Sequence, residues 1–326
     1  MTGPTGTFGA GLLPLLQEDD RIGRIVGIAR RPFDPDARGW TKLEYRRGDV
    51  RRPHELRDAF AGVDAVVHLA FMITGNAARS DIRAINVDGT LNAFRAAADA
   101  GAGRFVYASS VAAYGFHRDN PLGMTEDWPV RPARRLFYAQ EKAELEHQLR
   151  IEAREHPELA LYLLRPSVVL GPNTLGAKTL LPDALVPLAR GLLSLAGRSP
   201  LPIPVPMPSL PMQFVHEADV GQALLRCILA EGPPGAYNLA GDGTVSAADV
   251  ARELGAYPLP LPGAPLRAAA RALAALPALP PAAQWVEAAS HPAIMDTSRA
   301  KNVLGWRPRF TGLEALRETL RAHAPS

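Results

Sequence analysis

Cysteine is almost absent. The single Cys227 in 326 residues excludes an intrachain disulfide framework and any metal site built on several cysteines. It stands in the apolar run LLRCILA, where a cysteine reads as a small buried hydrophobe rather than a nucleophile. Lysine is scarce too: Lys42, Lys142, Lys178 and Lys301 are the only four, so 32 of the 36 basic residues are arginine. We read that skew as genomic composition, so a single arginine carries little functional weight. An excess of one charge is also missing. A net charge of +3 is too balanced for a nucleic-acid-binding protein. No stretch reaches the roughly 18 consecutive apolar residues of a membrane span. No secretory leader pattern opens the sequence, and the expectation is a cytoplasmic protein. His68 and His216 have no cysteine or carboxylate cluster at ligand spacing, so no metal site is expected.

What is present is ordinary globular composition, 47% hydrophobic and 21% charged, enough for a large α/β unit with a smaller second lobe. Short apolar runs at 24–29, 43–49, 64–70, 104–110 and 159–166 read as strands. Helical periodicity fills the gaps, most clearly over 80–100, which stops at Gly101. Strands alternating with helices predict a parallel, doubly wound sheet, with ligands at the carboxyl ends of its strands. The second half carries much of the excess proline. PLPIPVPMPSLP (200–211) cannot be a central strand or a helix interior, and reads as an extended loop or flap. A short amphipathic helix is expected near LRAAARALAAL. Further elements are expected at FVHEADVGQALLRCILA (strand into helix), GAYNLAG (strand), and RAKNVLGW and GLEALRETLRAH (helices).

Gly3, Gly6 and Gly9 give the spacing G-x-x-G-x-x-G ahead of an apolar helix. Such a turn lets the backbone approach a pyrophosphate, and the following helix N-terminus offers amides and a positive dipole end. Thr5, Thr7 and Phe8 lie in the same loop. One element is wanting: only Met1 and Thr2 precede Gly3, where a buried strand of about five residues belongs. The expectation is a chain that starts late, with its first strand missing. The strand RIVGIA ends at Ala29, followed by Arg30 and Arg31 rather than by a carboxylate. Two guanidiniums suit a 2′-phosphate, which favours NADP over NAD. Asp49 follows the next strand and reads either as an adenine contact or as a turn former.

Tyr138 and Lys142 form Tyr-x-x-x-Lys on a helical stretch, which puts both on one face. Seven tyrosines and four lysines would give about 0.1 such pairs by chance. A nearby cation favours the phenolate and would bring the tyrosine pKa down from about 10. Upstream, RFVYASS delivers Ser109 and Ser110 at a strand's carboxyl end, where a hydroxyl could hold a substrate oxygen. His216 precedes Glu217 and Asp219 at an expected helix start, where carboxylates cap amides.

Together TGPTGTFG (2–9), HLA (68–70), INVDGT (85–90), YASSVAAYG (107–115), YAQEK (138–142), LRPSVVLGP (164–172), FVHEADV (214–220) and YNLAG (237–241) resemble the extended short-chain dehydrogenase/reductase superfamily, within its NAD-dependent epimerase/dehydratase group. The resemblance spans nearly the whole chain. It implies a Rossmann-type domain over 1–170, with 213–235 returning to it. A smaller, mostly helical substrate lobe would comprise 171–212 and 236–326. It implies Ser110, Tyr138 and Lys142 as catalytic residues. Lys142 would also bind the nicotinamide ribose, and Gly3, Thr5, Gly6, Thr7, Phe8, Gly9, Arg30, Arg31, Asp49, Val50, Leu69, Ala70 and Asn86 would line the dinucleotide site. Asn86 reads equally as a helix-packing amide. Val111 and Ala112 stand where sugar-nucleotide dehydratases carry an acid/base pair, which argues against dehydration. Ser167, Val168 and Val169 offer little polarity, and Lys178, Arg190 and Arg198 are the few candidate diphosphate ligands of the second lobe. The expected function is therefore hydride transfer between NADP or NAD and an apolar alcohol or ketone. A nucleotide-sugar epimerase with bound NAD and a non-catalytic redox sensor are the alternatives. A homodimer through the helices at 80–100 and 136–155 is implied by the resemblance alone.

Overall fold

The computed structural model describes residues 1–73, 78–174, 204–208, 210–261 and 291–323. Among the described residues six strands build one parallel sheet: β1 (Ile25–Ala29), β2 (Leu43–Arg47), β3 (Ala65–His68), β4 (Arg104–Ala108), β5 (Ala160–Pro166) and the strand Gly235–Leu239. The centre of that sheet is a short segment. Met1 to Gly3 pair on one side with β1, where Ile28 N donates to Met1 O at 3.0 Å and Gly3 N to Ile28 O at 3.0 Å. On the other side Thr2 N donates to Val67 O at 2.9 Å and Leu69 N to Thr2 O at 3.2 Å. The order is therefore β2-β1-(Met1–Gly3)-β3-β4-β5-(Gly235–Leu239).

The strand sequences are continuous apolar runs because both faces of the sheet are covered. Val66, Phe105 and Leu163 face one helical layer, packing with Leu56 and Phe60 of α2 (Pro53–Phe60), Phe94 of the helix Gly89–Asp99, and Leu145 and Leu149 of the long helix Phe137–Glu155. Their neighbours Val67, Val106 and Leu164 face the other layer. There they meet Leu12, Leu13 and Leu16 of α1 (Thr7–Glu18), Val220, Leu224 and Cys227 of the helix Glu217–Ile228, and Trp306. Side chains that alternate along a strand thus serve two cores.

The periodic stretch 80–100 is not one regular helix. It runs as α3 (Arg79–Arg83), a π-turn at Ala84–Asp88 and α4 (Gly89–Asp99). The inserted residue turns Asn86 inward. The later helices are α5 (Phe137–Glu155), α6 (Glu217–Ile228), α7 (Ala247–Glu253), α8 (Ser298–Asn302) and α9 (Gly312–Ala322). Helices α1 and α6 approach closely at two glycines. A methyl group on Gly11 would collide with the carbonyl of Glu217, and one on Gly221 with the carbonyl of Gly11.

Three expectations need correction. The proline-rich stretch is extended, but not merely a loop: the strand Pro204–Pro208 pairs in parallel with the strand Tyr257–Leu261. Every pair in that register sets one proline against one non-proline. A parallel ladder uses alternate residues of each strand, so the two proline sets need donate nothing. Secondly, Gly235–Leu239 lies in the main sheet beside β5, so a boundary at 236 cuts a strand of the dinucleotide-binding half. Thirdly, the carboxylates near His216 do not cap their own helix. His216 is the cap, with Nδ1 accepting from Ala218 N at 3.2 Å. Asp219 instead accepts from Arg309 N and Phe310 N, tying α6 to the segment before α9. The expected helix around 266–276, and Lys178, Arg190 and Arg198, lie outside the described residues.

Candidate active site

The carboxyl end of β4 carries Ser109 and Ser110, held to β5 by Ser109 N donating to Leu164 O at 2.7 Å. Ser110 caps the 3-10 turn Val111–Tyr114, its Oγ accepting from Ala112 N at 3.1 Å. Helix α5 presents Tyr138 and Lys142 toward the same strand end. The Tyr138 phenol is hydrogen-bonded to the Ser110 hydroxyl, and its ring meets Phe71 edge-on at 5.6 Å. Lys142 is 3% exposed. Its Nζ donates to Ala108 O at 2.6 Å and to the Tyr107 hydroxyl at 3.1 Å, and lies 3.6 Å from the Phe71 ring centre. The structure therefore brings together Tyr138 and Lys142, aligned by their spacing, and Ser110, the serine that the family resemblance selects at the strand end.

Their electrostatics differ from the expectation. Burial raises the Tyr138 pKa above its ordinary 10, and the hydrogen bond from Ser110 only partly opposes it. The anticipated lowering by Lys142 is not what governs this phenol. The ammonium points at Ala108 O and Tyr107, 5.8 Å from the Tyr138 ring centre. Lysine itself pays for the dry surroundings. Burial brings Lys142 down from 10.5 to about 7, against the opposing pull of the Glu146 and Glu141 carboxylates. Desolvation wins here because neither carboxylate is directly bonded to Nζ in the way that Ala108 O is.

The glycine loop forms the neighbouring cradle. Gly3 has φ +65°, and a Cβ there would sit 2.8 Å from Ala70 N. A side chain on Gly9 would strike the Pro4 carbonyl. Gly6 is the cap of α1, with no side-chain cap and no acidic residue in the first turn. A bare helix start above a glycine loop fits an anionic diphosphate. Thr5 is exposed on the loop, Phe8 packs against the core, and the Thr7 hydroxyl donates to Asn173 O at 3.2 Å. The backbone amides of Leu69 and Ala70 both donate to Thr2 Oγ1 at 3.2 Å. With those amides on its lone pairs, Thr2 gives its proton to His68 Nδ1 at 2.9 Å. Thr90 spends its proton on Asn86 O, so it accepts from His68 Nε2 at 3.0 Å. His68 is thus neutral with its proton on Nε2.

Arg30 and Arg31 are exposed just past the end of β1, with their carbonyls held by Arg47 and Tyr45. Asp49 forms a turn: its carboxylate accepts from the Arg51 amide at 3.0 Å and pairs with the Arg51 guanidinium at 2.6 Å. Val50 is buried beside it, its carbonyl accepting from Asn92 at 3.3 Å. The Asn86 side chain bonds both backbone groups of Met72 and reaches Glu141 at 2.8 Å. Its amide is spent on packing α5 and the segment after β3 together.

Sequence reasoning passed over Glu146, Arg165, Phe71 and Glu141. Two of them had a signal. Glu146 continues the Tyr138–Lys142 spacing by another four residues, and Arg165 is the lone charge in the apolar strand LALYLLRP. Phe71 had none, since its contact with Lys142 depends on how the loop after β3 folds back. Among the described residues no group of three or more His, Cys, Asp or Glu could hold a metal ion, and no helix is long and apolar enough to cross a membrane.

Comparison with known proteins places this geometry. The model of the NAD dependent epimerase/dehydratase family matches residues 1–240. An uncharacterised Mycobacterium bovis protein is 28% identical over 98% of this chain and 82% of its own. Sterol demethylase protein B of Methylococcus capsulatus is 32% identical over 53% of this chain and 51% of its own. Human 3 beta-hydroxysteroid dehydrogenase type 7 is 30% identical over 52% and 50%. The solved dTDP-glucose 4,6-dehydratase DesIV of Streptomyces venezuelae, with NAD bound, superposes with a TM-score of 0.71. It covers 99% of this chain and 95% of that one at 22% identity, a likeness of fold.

Proposed function

Since the chain belongs to the NAD-dependent epimerase/dehydratase family, we propose that it is an oxidoreductase that interconverts an alcohol and a ketone on an apolar substrate, with NADP preferred to NAD. One observation carries the reading: a serine hydroxyl and a tyrosine phenol, hydrogen-bonded to each other, at a strand's carboxyl end with a buried lysine one helical turn away. The glycine cradle would hold the diphosphate, and Leu69, Ala70, Asp49 and Val50 would line the adenosine side. Arg30 and Arg31 would meet a 2′-phosphate, and Lys142 the ribose of the nicotinamide half. When bound, the nicotinamide supplies or accepts a hydride at the substrate carbon.

The chain's own residues handle the proton and the oxygen. In reduction, the Tyr138 hydroxyl gives its proton to the substrate oxygen while Ser110 donates a hydrogen bond to the same atom. In oxidation, the tyrosinate takes the alcohol proton back. A phenol whose pKa is raised by burial is a competent donor at neutral pH. As a base it needs a positive charge nearby, and a Lys142 balanced near pH 7 carries that charge in only part of the population at neutral pH. Val111 and Ala112, which follow the serine, offer no acid or base for dehydration, and the apolar substrate class is supported by the low polarity of Ser167, Val168 and Val169. The names of the two half-length relatives, a hydroxysteroid dehydrogenase and a sterol demethylase protein, lend it further support.

The test is turnover of a panel of apolar ketones and alcohols, 3-keto and 3-hydroxysteroids included, with NADPH and NADH in parallel. Tyr138→Phe is expected to lose about 100-fold or more in kcat while still binding the nucleotide by fluorescence. Wild-type turnover in that variant would sink the reading. Activity on a nucleotide sugar without added cofactor would favour an epimerase instead.

A further inference from the structure

Two turns along α5 from Tyr138, on the same face, lies a buried charge that this chemistry does not use. The Glu146 and Arg165 side chains are each 2% exposed and pair at 2.5 Å. Leu145, Leu149, Leu163 and Leu164 surround the pair in sequence and are all buried. Burying two charges seldom repays its desolvation cost, and apolar replacements are often as stable. What the pair holds is therefore more informative than what it contributes to stability.

It holds both ends of the serine turn. Glu146 Oε1 accepts from Ser109 Oγ at 2.6 Å and from Arg165 Nε at 2.8 Å. Arg165 Nη1 donates to the Tyr114 hydroxyl at 2.6 Å, and its guanidinium carbon lies 4.6 Å from the Tyr114 ring centre. Ser109 is the residue before Ser110, and Tyr114 ends the turn that Ser110 caps. The carboxylate on the tyrosine's helix thus holds one end of the serine turn directly and the other through Arg165. The same network reaches outward. Arg165 Nη1 also donates to Glu126 O at 3.0 Å. Tyr114 donates to Asn238 Oδ1 at 2.8 Å, and Asn238 Nδ2 donates to the carbonyls of Met124 and Asp296.

We propose that Glu146 and Arg165 are positioning residues that set the register between the Ser110 turn and the Tyr138 helix. The proposal rests on the reading of Ser110 and Tyr138 as the pair that handles the substrate oxygen. It makes the ion pair dispensable for folding when both charges are removed together, and indispensable for placing the two hydroxyls.

The decisive variant is Glu146→Leu with Arg165→Met. Its thermal midpoint is expected to stay near that of the wild type, because the two charges of the pair leave together and Glu141 still faces Lys142. Its kcat is expected to fall about 10- to 100-fold, as a misplacement of around 1 Å would cause, with KM for the nucleotide unchanged. Wild-type kcat in the double variant overturns the proposal. A second readout needs neither substrate nor that variant. With 3-fluorotyrosine incorporated, the Tyr138 fluorine resonance is assigned by its loss in Tyr138→Phe. Ser110→Ala then marks how that resonance moves when the serine bond is lost. Glu146→Gln is expected to move it in the same direction; an unmoved resonance in Glu146→Gln overturns the proposal. If Tyr138→Phe itself keeps turnover, the catalytic reading fails, and the fluorine result still judges the positioning.

Discussion

Lys142 sits where a charge is expensive, and its titration makes the cost measurable. Its folded pKa of about 7 lies below the ordinary 10.5. Between those values the unfolded chain binds more protons than the folded one, so stability rises with pH across that window. Below pH 7 the whole cost of burying the ammonium remains. Lys142→Met is therefore expected to be more stable than the wild type at pH 6, by on the order of 1 kcal/mol or more. The advantage should fade toward pH 10. Denaturant unfolding at several pH values checks this, and two parallel curves would count against it. At the other end of the site, Arg30→Ala with Arg31→Ala is expected to weaken NADPH binding roughly 10-fold or more and to leave NADH nearly unchanged. Equal losses for both nucleotides would refute a phosphate role. The residues that meet here were legible because spacing alone aligns Tyr138 with Lys142 and places serines at a strand end. Their protonation was not legible. Desolvation depends on what packs over the site, and Phe71 and Tyr107 close around Lys142 only in three dimensions.

The elements were readable to the extent that their pattern is local. Continuous apolar runs announced β1, β3, β4 and β5, because strands covered on both sides need no polar face. Cap chemistry was equally local at the chain's last helix, where Thr311 and Glu314 bond each other's backbone amides. The π-turn at Ala84–Asp88 was hidden, since one inserted residue leaves the apolar rhythm of 80–100 almost intact. The pairing of Pro204–Pro208 with Tyr257–Leu261 was hidden for another reason. Prolines exclude a central strand, but they do not exclude a two-stranded ladder whose partners use alternate residues. The helix pair α1–α6 is a further case: Gly11 and Gly221 fall outside the loop motif, yet each faces the other's helix backbone with no space for a methyl. Gly11→Ala is expected to cost about 1–3 kcal/mol by forcing the helices apart, read as a drop of several degrees in thermal midpoint. A midpoint unchanged from the wild type would show that the helices can give way freely.

Across the whole molecule, acid sensitivity should trace to the imidazole of His68 beside the glycine loop. Burial lowers the His68 pKa from 6.5 to about 3. Its folded value lies below its unfolded one, so its contribution is intact above pH 6.5 and is lost as pH falls toward 3. The wild type should lose on the order of a few kcal/mol over that range from this group. His68→Gln should start less stable at pH 7 but show a shallower decline. A decline as steep as that of the wild type would place the sensitivity elsewhere.

The close contact of α1 and α6 also governs when the molecule can become whole. The two helices begin at Thr7 and Glu217, about 210 residues apart along the chain. On a ribosome adding roughly 5–20 residues per second, α1 waits about 10–40 s for its partner to be made. Throughout that interval the nascent chain shows the flank that Leu12, Leu13 and Leu16 will later share with Val220 and Leu224. The glycine loop at the head of α1 is thus made well before the helix that locks it in place.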